Sequence, residues 1–415
     1  MGETSLRISD TFRMWGRNAK VLVATEPFWS IPMSWVFFYR PIFLNEAIGL
    51  SEIEIGLLYT VLTFFSVSSP LAGGYLADRF GRKRVFMLFD SVGWLTSMAI
   101  WIATQNIWYA LAAYILEGTA SIIFSVWECM LVEDTKPEYR AGIYGSVSAS
   151  YNIGSLSMPL AGLVIGLYGV NLGCRTLFTL TLLSFAIMFA TRQLFLRETE
   201  LGYRIMREKK FEGMKGYLDS LSIIRRSRVL ATLLLIFVLG GFYYAVTTYL
   251  PLYLTNERGI GLREDMASLL PMASSISALI IALLVVPKLA SRSSYVKALA
   301  LGSAMGGLAI LLLVYAPKGS IPVILVTGIL LGIYGATAFS VTRTFLTNEI
   351  EAVDSRARAK ILSVTITLSS LLNLPSPALA GYLFSLEPRL PFIAVFATLM
   401  VGLLMLATVA RAANE

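Results

Sequence analysis

Apolar stretches of about twenty residues or more recur along the whole chain, parted by short polar breaks, and each is long enough to cross a bilayer as a helix. The pattern predicts helices over 20–46, 53–77, 85–104, 108–134, 140–168 and 173–195, then over 228–254, 265–288, 296–316, 320–348, 357–385 and 390–411. Between the sixth and the seventh lies a stretch rich in Lys, Arg and Glu. The expected architecture is an all-α membrane protein with twelve transmembrane helices in two six-helix bundles. The N-terminal bundle covers 1–195, a cytoplasmic link 196–227, and the C-terminal bundle 228–415. Within the link, 215–228 places Tyr217, Leu218, Leu221 and Ile224 on one helical face. It is expected to lie along the inner membrane surface, where basic residues meet anionic lipid.

Composition agrees. Of 415 residues, 56% are hydrophobic and 14% charged, whereas soluble domains carry about 25% charged residues. So few charges exclude a soluble enzyme and a nucleic-acid binder, despite a net charge of +8. The chain has no histidine, so no side chain titrates near neutrality unperturbed, and proton chemistry falls to buried carboxylates. Cys129 and Cys174 form no CxxC pair and read as packing residues, with no metal or other cofactor implied.

The distribution of Lys and Arg orients the chain. The predicted outer side receives only Arg40, Arg175, Arg258, Arg263, Lys318 and Arg389, while Arg343 falls within a helix and the rest lie inside. Both termini are therefore expected in the cytoplasm of a multi-pass cell-membrane protein. The first twenty residues carry charges and lack the apolar run of a signal peptide. An internal repeat divides the chain: Glu133, Arg140 and Pro159 recur in order, at one offset, as Glu349, Arg356 and Pro375. Duplicated halves are a transporter device, with solute held between them near the midplane.

The run from Gly73 to Arg84 contains Gly74, Leu76, Ala77, Asp78, Arg79, Gly81, Arg82 and Lys83. It resembles the signature loop of the major facilitator superfamily, G-x-L-A-D-R-x-G-R-K, at every defined position and in the expected place between helices two and three. The resemblance implies a conformational gate formed by Gly74, Asp78, Arg79, Gly81, Arg82 and Lys83. In it, Asp78 accepts bonds from the N-terminus of a helix beginning near Arg356, and the second-half copy has Ser291 in place of Asp78. An antiporter pattern of the family is partly kept in Gly154, Pro159 and Gly162, which tilts the reading towards the drug:proton antiporter branch. The family's R-x-x-Q-G pattern falls on Tyr114–Gly118, where the arginine is missing and Glu117 replaces the glutamine.

A charge near a helix centre costs at least about 2.5–3.5 kcal/mol on insertion scales, so each needs a reason. Glu26, Arg40, Asp90, Glu117, Glu128 and Arg343 are such charges. Glu128, Glu26 and Glu117 are the candidate proton-coupling residues, and Glu26, Glu128 and Arg343 are expected to meet across the two halves. Asp90 reads as the structural partner of a loop arginine, and Arg192 is counted with the basic inner segments. The resemblance implies a cavity lined by helices one, four, seven and ten, rich here in aromatic residues and poor in amides. Arg343, Trp127, Trp35, Tyr243, Tyr244, Asn152 and Arg40 are the candidate substrate-binding residues, and they suit an amphiphilic solute held by ring faces and a carboxylate.

The expected function is proton-coupled export of amphiphilic or drug-like compounds by alternating access. Uptake of an organic anion, with Arg40 and Arg343 as its partners, and a non-transporting sensor are the alternatives. Small-molecule substrate, protons and membrane lipid are the expected partners of a monomer.

Overall fold

A computed structural model describes residues 12–136, 139–208, 228–289, 291–354, 365 and 367–411. The amphipathic stretch expected at 215–228 lies almost wholly outside the described residues, as does Arg356. Every regular element among the described residues is helical. Nine helical stretches among them are long and apolar enough to cross a membrane. The longest, Gly142–Phe195, has 54 residues and is broken at Gly169, where φ is 72°, so it holds two of the expected spans. The tenth expected span is the shorter apolar helix Ile321–Ala336, continued through a π turn at Thr337–Val341 into Thr342–Asp354. Ser376–Leu386 is the C-terminal part of the eleventh.

The expected single helix over 228–254 is two, Arg228–Thr247 and Leu250–Thr255. Pro251 sits in the first turn of the second, and in a continuous helix its ring would clash with the carbonyl of Thr247.

The chain forms two compact units. The first comprises Met1–Arg40, Val61–Ser157 and Asn171–Phe211. Its helices belong to α1 (Arg17–Ile42), α2 (Glu52–Phe80), α3 (Arg82–Ala103, with a π turn at Ser91–Thr96), α4 (Ile107–Val132), α5 (Arg140–Leu156), α6 (Met158–Phe195) and α7 (Glu200–Glu208). α4 starts on Asn106, whose side-chain oxygen accepts from the Trp108 and Tyr109 N–H groups, satisfying orphan donors of the first turn. Lipid tails are as apolar as leucine, so helices here associate by close packing and hydrogen bonds rather than by hydrophobic burial. Gly154 on α5 illustrates it: a Cβ there would lie 2.6 Å from the Ser30 carbonyl oxygen of α1.

The second unit comprises Pro41–Thr60, Met158–Val170 and Glu212–Glu415. It takes in the first two turns of α2: the Tyr249 hydroxyl donates to the Glu52 carbonyl at 2.8 Å, and the Thr60 hydroxyl accepts from the Ala378 N–H at 3.2 Å. Its core groups Leu230, Leu233, Leu299, Phe345, Ile350 and Leu406. Leu163, Leu167, Leu194, Leu283 and Leu404 are more than half exposed, a surface that water would not tolerate over such an extent but lipid does.

Candidate functional site

Two buried ionic groups form inside the first unit, and they differ in charge balance. The first lies where α1, α3 and α4 meet. Arg40 Nη1 donates to both oxygens of Glu117 at 2.7 Å, and Trp101 Nε1 donates to Glu117 Oε1 at 2.6 Å. The Arg40 guanidinium stacks 4.9 Å from the Trp101 ring centroid and 4.8 Å from that of Tyr114. Arg40 is wholly buried and Glu117 nearly so. One cation meets one anion, and the aromatic faces add cation–π attraction. The pair is neutral.

The second group is not. Arg192, on α6, reaches Glu26 of α1 at 3.4 Å through Nη2 and Asp90 of α3 at 3.4 Å through Nη1. Its Nε donates to the Thr25 hydroxyl at 3.0 Å, and its guanidinium lies 5.5 Å from the Phe86 ring centroid. Glu26, Asp90 and Arg192 are exposed by only 3%, 1% and 3%. Tyr151 of α5 is hydrogen-bonded to Glu26. Beside the group is a cavity of about 40 Å³ walled by Trp29, Trp94, Ile123, Phe124, Trp127 and Tyr151, with Glu26, Asp90 and Arg192 completing its lining. Trp29 packs edge-on against Trp94 at 5.3 Å and Tyr151 at 5.8 Å, which fixes the walls. With both acids ionised the group carries one net negative charge, and burial disfavours such a charge unless a proton or another cation balances it.

Arg192 is the residue that sequence reasoning misplaced. It is counted among the basic inner positions although it falls within the predicted span 173–195; the structure places it inside α6 with its side chain buried. Asp90 does pair with an arginine, but with this helical one rather than one from a loop.

Other predicted positions stand apart from this group. Glu128 is exposed and accepts from the Tyr144 hydroxyl at 3.1 Å. Trp35 Nε1 donates to Ser157 Oγ at 2.8 Å, tying α1 to the turn after α5. Asn152 donates to the Ser148 carbonyl at 2.9 Å. In the second unit, Tyr243 is buried with its ring 4.8 Å from Tyr334 and 5.5 Å from the exposed Tyr244. The Arg343 side chain lies outside the described residues.

The signature loop joins α2 to α3 in the first unit. Gly74 is within α2, and Asp78 and Arg79 are exposed. Arg79 donates to the Tyr75 hydroxyl at 2.8 Å. Arg82 pairs with Glu133 and donates to Thr199 Oγ1 at 3.1 Å. The Lys83 N–H, at the free N-terminus of α3, donates to Glu198 Oε2 at 2.9 Å, the placement a helix dipole favours for an anion. Gly81 has φ 90° and ψ 148°, and a Cβ there would lie 2.8 Å from Glu198 Oε2. Only glycine takes that conformation without strain. Next to these contacts Asp134 lies near Glu198 and Glu200; partial burial and then the charge of Glu200 hold its carboxyl above the usual aspartate range.

The family model described as Major Facilitator Superfamily matches residues 29–374. The chain belongs to the Major Facilitator Superfamily. It is a multi-pass membrane transporter and not an enzyme. The chain is 25% identical over 341 residues to multidrug resistance protein 2 of Bacillus subtilis, covering 81% of each protein. It is 27% identical over 254 residues to a Na(+), Li(+), K(+)/H(+) antiporter of Planococcus maritimus, covering 56% of this chain and 55% of that one. That match therefore spans about half the length of the antiporter. Among solved structures, the nucleoside transporter NupG superposes with a TM-score of 0.70 at 11% identity, over 95% of this chain and 98% of that one. An auto-inhibited POT-family peptide transporter gives 0.65 at 12%, over 96% and 97%. Both likenesses concern the fold.

Proposed function

We propose that this transporter exports amphiphilic, drug-like compounds in exchange for protons, by alternating access between six-helix halves at 1–195 and 228–415 joined by the 196–227 link. The observation that carries the reading is Glu26, a carboxylate buried on the first helix beside a cavity walled by aromatic rings. A proton there neutralises the group; its departure leaves a negative charge that a cationic, ring-bearing solute satisfies through the same walls. Glu26 takes the proton role ahead of Glu117, whose charge is already met by Arg40, and of Glu128, which is exposed. The names of the Bacillus subtilis and Planococcus maritimus relatives favour export and cation–proton exchange respectively. The protein works as a monomer in the cell membrane with both termini in the cytoplasm, the lysine and arginine distribution favouring that orientation.

The test is efflux of a cationic dye from proteoliposomes under an imposed pH gradient. Wild-type efflux should follow the gradient, and Glu26→Gln should remove the gradient-driven part. Dye flux indifferent to the gradient overturns the proton coupling, and no flux of any amphiphile overturns the export reading.

A further inference from the structure

The first unit has a second and larger cavity, of about 900 Å³, where α1 starts, α4 turns into α5 and α6 gives way to α7. That volume is in the range of small-molecule sites. Leu201 is the one apolar residue among those that line it, so it does not suit the amphiphile of the export reading. Hydrogen bonds fix its walls. The Gly16 N–H donates to Thr135 Oγ1 at 2.9 Å, which ties the start of α1 to the α4–α5 turn. Asn18, 1% exposed, accepts from the Arg197 N–H at 3.0 Å and donates to the Arg197 carbonyl at 2.9 Å, which ties α1 to the segment before α7.

Charge distinguishes the lining. Arg17, Lys136, Arg140, Arg197 and Arg204 share it with four acids, Glu133, Asp134, Glu198 and Glu200. Two of those acids are engaged elsewhere: Glu133 pairs with Arg82, and Glu198 accepts from the Lys83 N–H at the start of α3. Among the described residues, none of Arg17, Lys136, Arg140 and Arg197 has a carboxylate within ion-pair distance. Arg17 Nε donates to the Phe195 carbonyl at 2.9 Å and Arg140 Nε to the Thr135 carbonyl at 3.1 Å. Those neutral acceptors hold each guanidinium in place without answering its charge. The stretch that follows α7 in the sequence, 209–227, carries Lys209, Lys210, Lys215, Arg225 and Arg226 against Glu212 and Asp219, so it adds cation rather than anion.

We propose that this cavity binds an organic phosphate, with Arg17, Lys136, Arg140 and Arg197 as the ligands of its phosphate group. Guanidinium forks match phosphate oxygens in pairs, and lysine adds a compact charge. The volume leaves room for the rest of the molecule, whose hydroxyl or amino groups Asp134 and Glu200 accept. Bound phosphate joins α7 to the start of α1 and the α4–α5 turn. Soluble phosphate esters and phospholipid headgroups share this chemistry. The site is separate from the Glu26 group and goes beyond the export reading.

The experiment uses the full chain purified in detergent, titrated calorimetrically with adenosine monophosphate and with glycerol phosphate, against adenosine and glycerol as phosphate-free controls. A second arm measures the melting temperature in nanodiscs of phosphatidylcholine, with and without phosphatidic acid. The soluble esters should bind saturably and the controls should not. Lys136→Gln with Arg197→Gln, both at exposed positions, should raise the Kd at least about tenfold. Arg84→Gln, exposed on α3 and outside the lining, should leave it unchanged. The esters should also slow proteolytic cleavage within 198–208, since the site joins α7 to α1.

Ester binding that the double variant weakens supports the site with a soluble ligand. Stabilisation by phosphatidic acid alone, lost in the double variant, supports it with a lipid headgroup as the source of the phosphate. No response to either source overturns the proposal, as does a response that the double variant keeps in full. Should the double variant fold poorly, protection of 198–208 by an ester and not by its parent alcohol decides the matter in wild type. None of these readings involves transport, so failure of the export reading leaves the site standing, and failure of the site leaves the export reading standing.

Discussion

Arg40 and Glu117 lie on helices 77 positions apart in the chain and meet through one nitrogen and two oxygens, at 2.7 Å each, with no side-chain contact to solvent worth the name. Removing one partner strands a buried charge, which costs about 3–5 kcal/mol, while replacing both by apolar residues of similar size is often near neutral. Glu117→Gln should therefore lower the melting temperature sharply, and Arg40→Met with Glu117→Leu should recover most of the loss. Differential scanning fluorimetry of the single and the double variant beside wild type checks it. If Glu117→Gln melts like wild type, the pair is not the buried tie described.

The Arg192 group makes a parallel prediction about rescue. Arg192→Gln leaves two buried carboxylates facing each other, and the loss should again be about 3–5 kcal/mol. Adding Asp90→Asn to Arg192→Gln removes one of the stranded charges and should raise the melting temperature above that of Arg192→Gln alone. Additive destabilisation would show that the three side chains are not coupled.

Asp134 gives a pH dependence outside the membrane. Its carboxyl stands above the usual range through partial burial and the charge of Glu200. The folded chain therefore holds this proton more tightly than the unfolded chain does. The ionised form costs stability above the folded-state value, and that cost is relieved as pH falls through it. Asp134→Asn should raise the melting temperature at pH 7–8, and its advantage should vanish below the ordinary aspartate range of about 4. An advantage independent of pH would assign the effect to something other than this charge.

Gly81→Ala should loosen the start of α3 from the Glu198–Met206 segment. The backbone there, φ 90° and ψ 148°, is a region that side chains rarely enter, at a cost of about 1–3 kcal/mol. Limited proteolysis should then cut within 198–208 faster than in wild type, while Gly145→Ala, where a Cβ meets nothing within 4 Å, should leave the cleavage rate unchanged.

Several of these features were legible along the chain. Twenty-residue apolar runs, the sidedness of Lys and Arg, and the Gly73–Arg84 loop are all one-dimensional properties, set by bilayer thickness, by membrane electrostatics and by local turn geometry. The break at Gly169 falls between the predicted spans 140–168 and 173–195; the one before Pro251 belongs in the same class, since proline acts on its own backbone, but hydropathy alone passed over it because it sits in apolar surroundings.

Which charge answers which was not legible. Glu26 and Arg192 are separated by 166 positions, and whether they meet depends on how far each helix is rotated about its own axis, a quantity that packing decides. The same rotation left Glu128 exposed beside Tyr144, drew Arg40 to Glu117, and made Asp90 a buried acid with one oxygen that has no hydrogen-bond partner among the described residues. Sequence alone determined that carboxylates enter the membrane and that no histidine could serve in their place. Tertiary structure decided which of them has an arginine to itself and which two share one among the described residues, because Coulomb energy in a low-dielectric interior depends on separations of a few ångströms that only the packed helices define.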